Sequence, residues 1–304
     1  MPQPEKKIYR SNGKLLISSE YLVLDGAEAL ALPTKRGQTL AVSKTETENI
    51  IWKSYTVDDD LWFECVFDNN FTPITYSDKN TADVLSTFLR IALSLNPDFL
   101  NVARGSMVET HLEFHRSWGL GSSSTLISNI AQWAKVDPFV LQQESFPGSG
   151  YDIACALSNK PIVYQIKNKE ASYVTLKFHP SFSGEIFFIH LNKKQNSREG
   201  INIYREFKGD IETKILLAND FTKDFVECED TDSFRRLMAK HESLISEIID
   251  QLPVKQKLFP DFKGSVKSLG AWGGDFVMAV GKNTENYFKN KGYNTVIPYD
   301  KMVL

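Results

Sequence analysis

Cysteine is scarce in this chain, with only Cys65, Cys155 and Cys228 among 304 residues. Their odd number and wide spacing argue against a disulfide framework or a cysteine-based zinc site, and a reducing compartment is expected. Charge of one sign is also lacking. A formal net charge of -3 leaves no basic excess of the kind that nucleic-acid partners require. No apolar run is long enough to span a bilayer. The opening stretch Met1 to Lys7 has no apolar core of a signal peptide. A cytoplasmic protein with neither nucleic acid nor membrane as partner is therefore expected. Internal repeats and low-complexity linkers are absent, and so is the G-x-x-x-x-G-K-[ST] pattern of a Walker-A nucleotide site. What remains is ordinary for a folded protein, 42% hydrophobic and 24% charged. The length points to two domains.

The positive signals begin with a mixture of element types. Thr39–Val42, Ile50–Trp52 and Leu61–Phe67 are rich in β-branched and aromatic residues and predict strands, with Asp58, Asp59 and Asp60 as a connecting turn. Residues 81–95 carry Leu85, Phe88, Leu89, Ala92 and Leu95 at helical spacing and end at Asn96-Pro97. Strict alternation over 107–114 predicts another strand. Asp137-Pro138 opens a short helix to about Glu144. Residues 161–166 and 173–178 read as a hairpin, 185–191 and 276–280 as strands, and 210–220, 232–251 and 284–291 as helices. Asn12-Gly13 reads as a turn, and residues 192–200 as a polar loop. His241 lies on an apolar helical face, which favours a packed role over ligation. Strands and helices without a strict βαβ period indicate α+β layers, with a boundary near residue 180.

Chemistry concentrates where glycines do. Trp118 is followed by Gly119, Leu120, Gly121, Ser122, Ser123, Ser124 and Thr125, just before an apolar-periodic run. Two glycines permit positive φ and close approach of backbone to ligand. Serines at a helix start offer hydroxyls beside open N–H groups, a natural anion site. Serine and threonine are also good helix caps, so this stretch alone leaves an anion site and a plain capped helix equally open. A second glycine turn, Gly148-Ser149-Gly150, precedes Asp152, which either complements a helix dipole or receives a substrate proton. A third cluster holds Gly270, Gly273 and Gly274. Lys14 and Glu20 bracket an apolar stretch, as edge charges or as a cation beside an anion. Lys193, Lys194 and Arg198 sit in a polar loop that is either simply solvated or holds an anionic substrate.

These motifs in this order resemble the GHMP kinases, the superfamily of galactokinase, homoserine kinase, mevalonate kinase and phosphomevalonate kinase. Gly119-Leu120-Gly121-Ser122-Ser123 is the most specific element, and the resemblance covers most of the chain. Gly150-Tyr151-Asp152-Ile153-Ala154 is similar to the stretch that names a bacterial subgroup associated with mevalonate-pathway enzymes. The resemblance implies a two-domain α+β fold, with an S5-like ATP-binding domain over 1–180 and a ferredoxin-like domain over 181–304. The family's active site lies between these domains. It implies ATP and Mg2+ as cofactors and a small acidic molecule as acceptor, in a monomer or homodimer.

Residue by residue, the resemblance implies that Gly119, Leu120, Gly121, Ser122, Ser123 and Ser124 wrap the ATP phosphates. Gly270, Gly273 and Gly274 would shape the site from the second domain. Lys14 would lie near the transferred phosphate, and Asp152 would act as base or orient the acceptor. Ser122, Ser123 or Glu144 would hold magnesium. Glu20, Lys193 and Arg198 are candidates for substrate binding, the cations suiting a carboxylate or phosphate. Three positions depart from the pattern: Ser19 where glycine is usual, His115 in place of proline, and Trp272 in place of glycine. Two other activities remain open within this resemblance. One is an ATP-dependent diphosphomevalonate decarboxylase, the other a non-catalytic binding protein of the same fold.

Overall fold

Two long strands open the chain and run through both of its compact units. The structure, a computed structural model, describes residues 6–194 and 197–304, with only the backbone of Ser197 and Arg198. The first unit comprises Met1–Gly13, Arg36–Arg116 and Leu120–Leu157, and the second Lys14–Lys35, Ser117–Gly119 and Ser158–Leu304. The division is interleaved and differs from a single cut near residue 180. It falls within strands β1 (Lys7–Leu16) and β2 (Ala29–Lys44), because each is long enough to serve two cores.

In the first unit, β2 pairs antiparallel with β6 (Ser106–Leu112) over Gln38–Lys44. Strand β3 (Ile50–Tyr55) lies parallel to β6 and antiparallel to β4 (Leu61–Phe67), and β5 (Pro73–Tyr76) forms the edge. The expected turn at Asn12-Gly13 does not form. Both residues are buried inside β1, and a Cβ on Gly37 would strike the Ser11 carbonyl, so the two strands lie unusually close there. Helices α1 (Lys79–Leu95), α2 (Phe99–Ala103), α3 (Ser122–Ala134), α4 (Pro138–Ser145) and α5 (Tyr151–Leu157) complete the unit. Side chains of Asp78 and Asp137 cap α1 and α4, accepting from Thr81 N–H at 2.7 Å and Phe139 N–H at 2.8 Å. The apolar faces of α1 and α3 meet the sheet in one core around Trp52, Phe63, Phe67, Phe88, Ile127 and Trp133. Burying a large side chain of this kind stabilises the fold by roughly 1.5–3 kcal/mol.

In the second unit, Ala29–Ala31 of β2 pair with β7 (Ile162–Lys167), which forms a hairpin with β8 (Glu170–Thr175). A separate antiparallel sheet has the order β10 (Ser265–Ser268), β11 (Phe276–Val280), β9 (Ile186–His190), β12 (Val296–Pro298). Its β12 has only three residues, too short to stand out in the sequence. Helices α6 (Ser197–Glu206), α7 (Ile211–Glu227) and α8 (Thr231–Ile249) follow β9, and α9 (Val254–Leu258), α10 (Thr284–Asn290) and α11 (Tyr299–Met302) are short. The polar stretch 192–200 is thus a loop only in its first part. Its end already belongs to α6, whose Tyr204 packs on Tyr21 at a ring separation of 5.9 Å. No helix among the described residues is long and apolar enough to cross a membrane.

Candidate active site

Helix α3 starts in an unusual way. Its N-cap is Gly121, in the left-handed region at φ 90°, and no side chain caps the helix. The hydroxyls that would serve as caps point back instead: Ser124 Oγ donates to the Gly121 carbonyl at 2.9 Å. The first N–H groups of a helix have no partner within it, so the start of α3 offers donors and a positive dipole end without a side-chain acceptor. Ser123 is exposed and Ser122 half-buried. The helix is held rigidly by a buried polar ladder. Thr125 Oγ1 donates to Gln38 Oε1 at 2.7 Å, Asn129 Nδ2 to the Gln38 carbonyl at 2.9 Å, and Ser11 Oγ to Asn129 Oδ1 at 2.8 Å.

Asp152 stands in the first turn of α5, which packs against α3. It is half-buried, and its Oδ1 accepts from Gln142 Nε2 at 3.0 Å and from Ile153 N–H at 3.1 Å. Gln142 is itself 4% exposed, so the carboxylate is oriented from below by a fixed donor. No feature of the sequence marked Gln142 for this role. Glu144 is exposed on α4. Among the described residues no group of three or more His, Cys, Asp and Glu side chains forms a metal cage. The hydroxyls of Ser122 and Ser123 at the α3 start are oxygen donors of the type that magnesium takes.

In the second unit, Lys14 lies near the third glycine cluster. Its Nζ is 4.0 Å from where a Cβ on Gly270 would stand, and Gly270 has φ 63°. Gly119 is the other close approach. At φ 66° its missing Cβ would fall 2.9 Å from Asp275 Cβ and closer still to the carboxylate. Only glycine fits there. Gly119→Ala is therefore expected to displace either the loop or Asp275, at about 1 kcal/mol or more of backbone strain before the clash is counted. A loss of ATP affinity of about tenfold or more, measured by calorimetry, checks this; unchanged affinity would show that the loop does not meet the nucleotide. Trp118 stands edge-on to Phe276 with ring centres 5.4 Å apart, and His190 Nε2 lies 3.1 Å from the Ser117 carbonyl. Asp275 N–H donates to the Lys193 carbonyl at 2.7 Å, which ties the exposed Lys193–Lys194 stretch to the same place. The side chain of Arg198 lies outside the described residues.

Two of the three departures have physical explanations. Ser19 takes up φ 62° where glycine would do so freely, and is held there because its N–H donates to His241 Nε2 at 2.9 Å. Trp272 is 3% exposed and packs with Tyr21, Leu22, Tyr204 and Leu244 in the core of its unit, while its backbone N–H donates to the Tyr21 hydroxyl at 3.1 Å. Its bulk is absorbed by that core. His115 is exposed, with Nδ1 3.9 Å from an Asp58 carboxylate oxygen.

Glu20 is enclosed in the second unit. It is 1% exposed, and the Lys267 ammonium donates to its Oε1. Burial raises its pKa above the ordinary carboxylate value, although Lys267 acts against that shift. The reason sequence reading placed it with the substrate is that a carboxylate six residues beyond Lys14 says nothing of its depth. His241 is fully buried and packed, as its place on the apolar face of α8 implies. Burial, and then Lys267, hold its pKa well below the usual value. The ring is therefore neutral, and its Nε2 at 3.5 Å from Glu20 Oε2 is not an ion pair. Glu242 accepts from Ser268 N–H at 2.8 Å, and burial first, with Glu20 adding to it, pushes its pKa up to about 7.

This shift has a pH consequence of definite sign. Between the ordinary value of 4.5 and about 7, the folded chain holds a proton on Glu242 that the unfolded chain releases. Its contribution to stability is fully present below the lower value and is lost as pH rises through the upper one. The loss is on the order of 3 kcal/mol. Glu20 acts in the same direction, and His241 in the opposite one, destabilising as pH falls below its ordinary range. Glu242→Gln should flatten the decline in urea midpoint between about pH 5 and pH 8. An unchanged slope would refute the assignment to Glu242.

No family model matches the chain, and no curated protein matches it. Solved structures do. Mevalonate kinase from Methanococcus jannaschii matches at a TM-score of 0.69 and 15% identity, over 96% of this chain and 97% of that one. Phosphomevalonate kinase from Streptococcus pneumoniae, in complex with phosphomevalonate and AMPPNP, matches at 0.67 and 15% identity, over 96% and 99%. The fold is that of the GHMP kinases. Galactokinase from Lactococcus lactis, complexed with galactose, shares it at 0.67 and 12% identity, over 97% and 93%. The GHMP-kinase fold therefore extends along nearly the whole chain, and its α+β character agrees with the reading of the sequence.

Proposed function

We propose that this protein is an ATP-dependent small-molecule kinase that transfers the γ-phosphoryl group to an acidic acceptor of the mevalonate type, phosphomevalonate or mevalonate. The observation that carries this is the start of α3, where left-handed Gly121 replaces a side-chain cap and three serines follow. In this reading residues 119–124 hold the ATP phosphates, and Gly270, Gly273 and Gly274 are nucleotide-site residues as the family resemblance implies. Lys14 offsets charge on the transferred group. Phosphoryl transfer asks the protein chiefly for alignment and charge compensation, which N–H groups and an ammonium supply. Magnesium, held through the phosphates and Ser122 or Ser123, would supply further positive charge. Asp152, oriented by Gln142, accepts the proton of the attacking hydroxyl. The exposed cations Lys193 and Lys194 suit a carboxylate or phosphate on the acceptor better than a neutral sugar.

The test is turnover of MgATP against mevalonate, phosphomevalonate, diphosphomevalonate, homoserine and galactose, with products identified by mass. ADP together with an acid heavier by one phosphoryl group supports the kinase. Carbon dioxide with free phosphate would assign the chain to the decarboxylases. ATP binding without any turnover would make it a binding protein.

A further inference from the structure

Four ionisable side chains of the second unit, Glu20, His241, Glu242 and Lys267, are between 0% and 1% exposed. None of them is a phosphate ligand in the kinase reading. Taking charges out of water is costly, and apolar residues of similar volume stabilise a core as well or better. Their arrangement, however, is specific. His241 and Glu242 are neighbours on α8, and each grips a different segment. His241 Nε2 accepts the N–H of Ser19, in the segment that follows Lys14. Glu242 Oε1 accepts the N–H of Ser268, two residues before Gly270. Lys267 then joins the two segments directly, donating to Glu20 Oε1 and, at 2.9 Å, to the Ser268 carbonyl. One helix and one ion pair thus hold the segment after Lys14 against the segment before Gly270. Between those segments the Lys14 Nζ comes within 4.0 Å of the Gly270 Cβ position.

We propose that Glu20, Lys267, His241 and Glu242 form a positioning unit that sets the place of the Lys14 ammonium relative to the Gly270 turn, and through Lys14 sets the rate of phosphoryl transfer. The second half of this statement rests on the kinase reading; the first half does not. The unit touches no ligand. A displacement of about 1 Å in a charge-compensating group costs up to about 10²-fold in rate, so a register device is worth its desolvation cost.

The experiment compares Glu20→Gln, Lys267→Met and the double variant Glu20→Gln/Lys267→Met with the wild-type chain. Two quantities are read: steady-state kinetics with MgATP and phosphomevalonate, and the rate of Lys14 acetylation by an N-hydroxysuccinimide ester, followed by peptide mass. Lys193 and Lys194, which are exposed, serve as internal controls. The expected result is a fall in kcat of about tenfold or more with KM for ATP little changed. Lys14 acetylation should shift by about threefold or more, roughly half of such a rate effect in free-energy terms, while the two controls do not. Unchanged kcat and Lys14 reactivity in folded variants, even with lowered stability, would overturn the proposal. If Lys267→Met does not fold, the double variant is read in its place, because it leaves no unpaired buried charge. If the wild-type chain phosphorylates no acceptor, the kinase reading falls by itself. Lys14 reactivity then decides the positioning claim alone, a shift upholding it and constancy refuting it.

Discussion

Asp152→Asn is expected to lower kcat by about 10²–10⁴-fold, the contribution of a positioned general base, and to leave ATP affinity nearly unchanged. The substitution is close to isosteric. The asparagine Oδ1 can still accept from Gln142 Nε2, which now lies 3.0 Å from the Asp152 carboxylate, so the α5 turn should keep its geometry. What is lost is the capacity to take a proton. A loss confined to kcat and kcat/KM, with calorimetric ATP affinity retained, is the signature of an interaction made in the transition state. Equal turnover in mutant and wild type would remove Asp152 from the chemistry. Gln142→Leu offers a milder companion, since it removes the donor that orients the carboxylate but leaves the base in place.

The second large effect concerns stability. Lys267→Met should destabilise the chain by about 3–5 kcal/mol, the range for removing one partner of a buried ion pair. Glu20 would then be an enclosed carboxylate without its cation, and its Oε2 already lacks a hydrogen-bond partner among the described residues. Glu20→Gln/Lys267→Met should recover much of that loss, because both charges are gone and no ion remains to be desolvated. Urea unfolding of both variants measures the difference through the midpoint at constant slope. If the double variant were no more stable than the single one, the cost would come from lost packing of the Lys267 stem.

The elements most legible in the sequence were those with strong local signals. The β-branched and aromatic content of Leu61–Phe67, alternation over 107–114, and the helical spacing of Leu85, Phe88, Leu89 and Ala92 translate directly into β4, β6 and α1. Asp137-Pro138 marked the start of α4 because capping and a fixed proline φ are properties of adjacent residues. The Asn12-Gly13 pair misled for the complementary reason. Its turn preference is worth little against a place in β1, where both residues are buried and the neighbouring strand approaches closely at Gly37. The start of α6 was read as loop because polar residues dominate there, and the helix is secured by contacts distant in sequence, such as Tyr204 against Tyr21.

By itself the sequence determined the chain's α+β character, the glycine-serine stretch with its resemblance to GHMP kinases, and the residue types available for chemistry. These follow from periodicity, from glycine's freedom at positive φ and from side-chain functional groups, all carried by residues close in the chain. Tertiary structure alone decided depth and partnership. It enclosed Glu20 with Lys267, gave Asp152 its Gln142 donor, set Asp275 against Gly119 and absorbed Trp272 into a core. Each of these depends on residues 10 to 251 positions apart, and the dielectric surroundings that make a charge structural or reactive exist only once those residues meet.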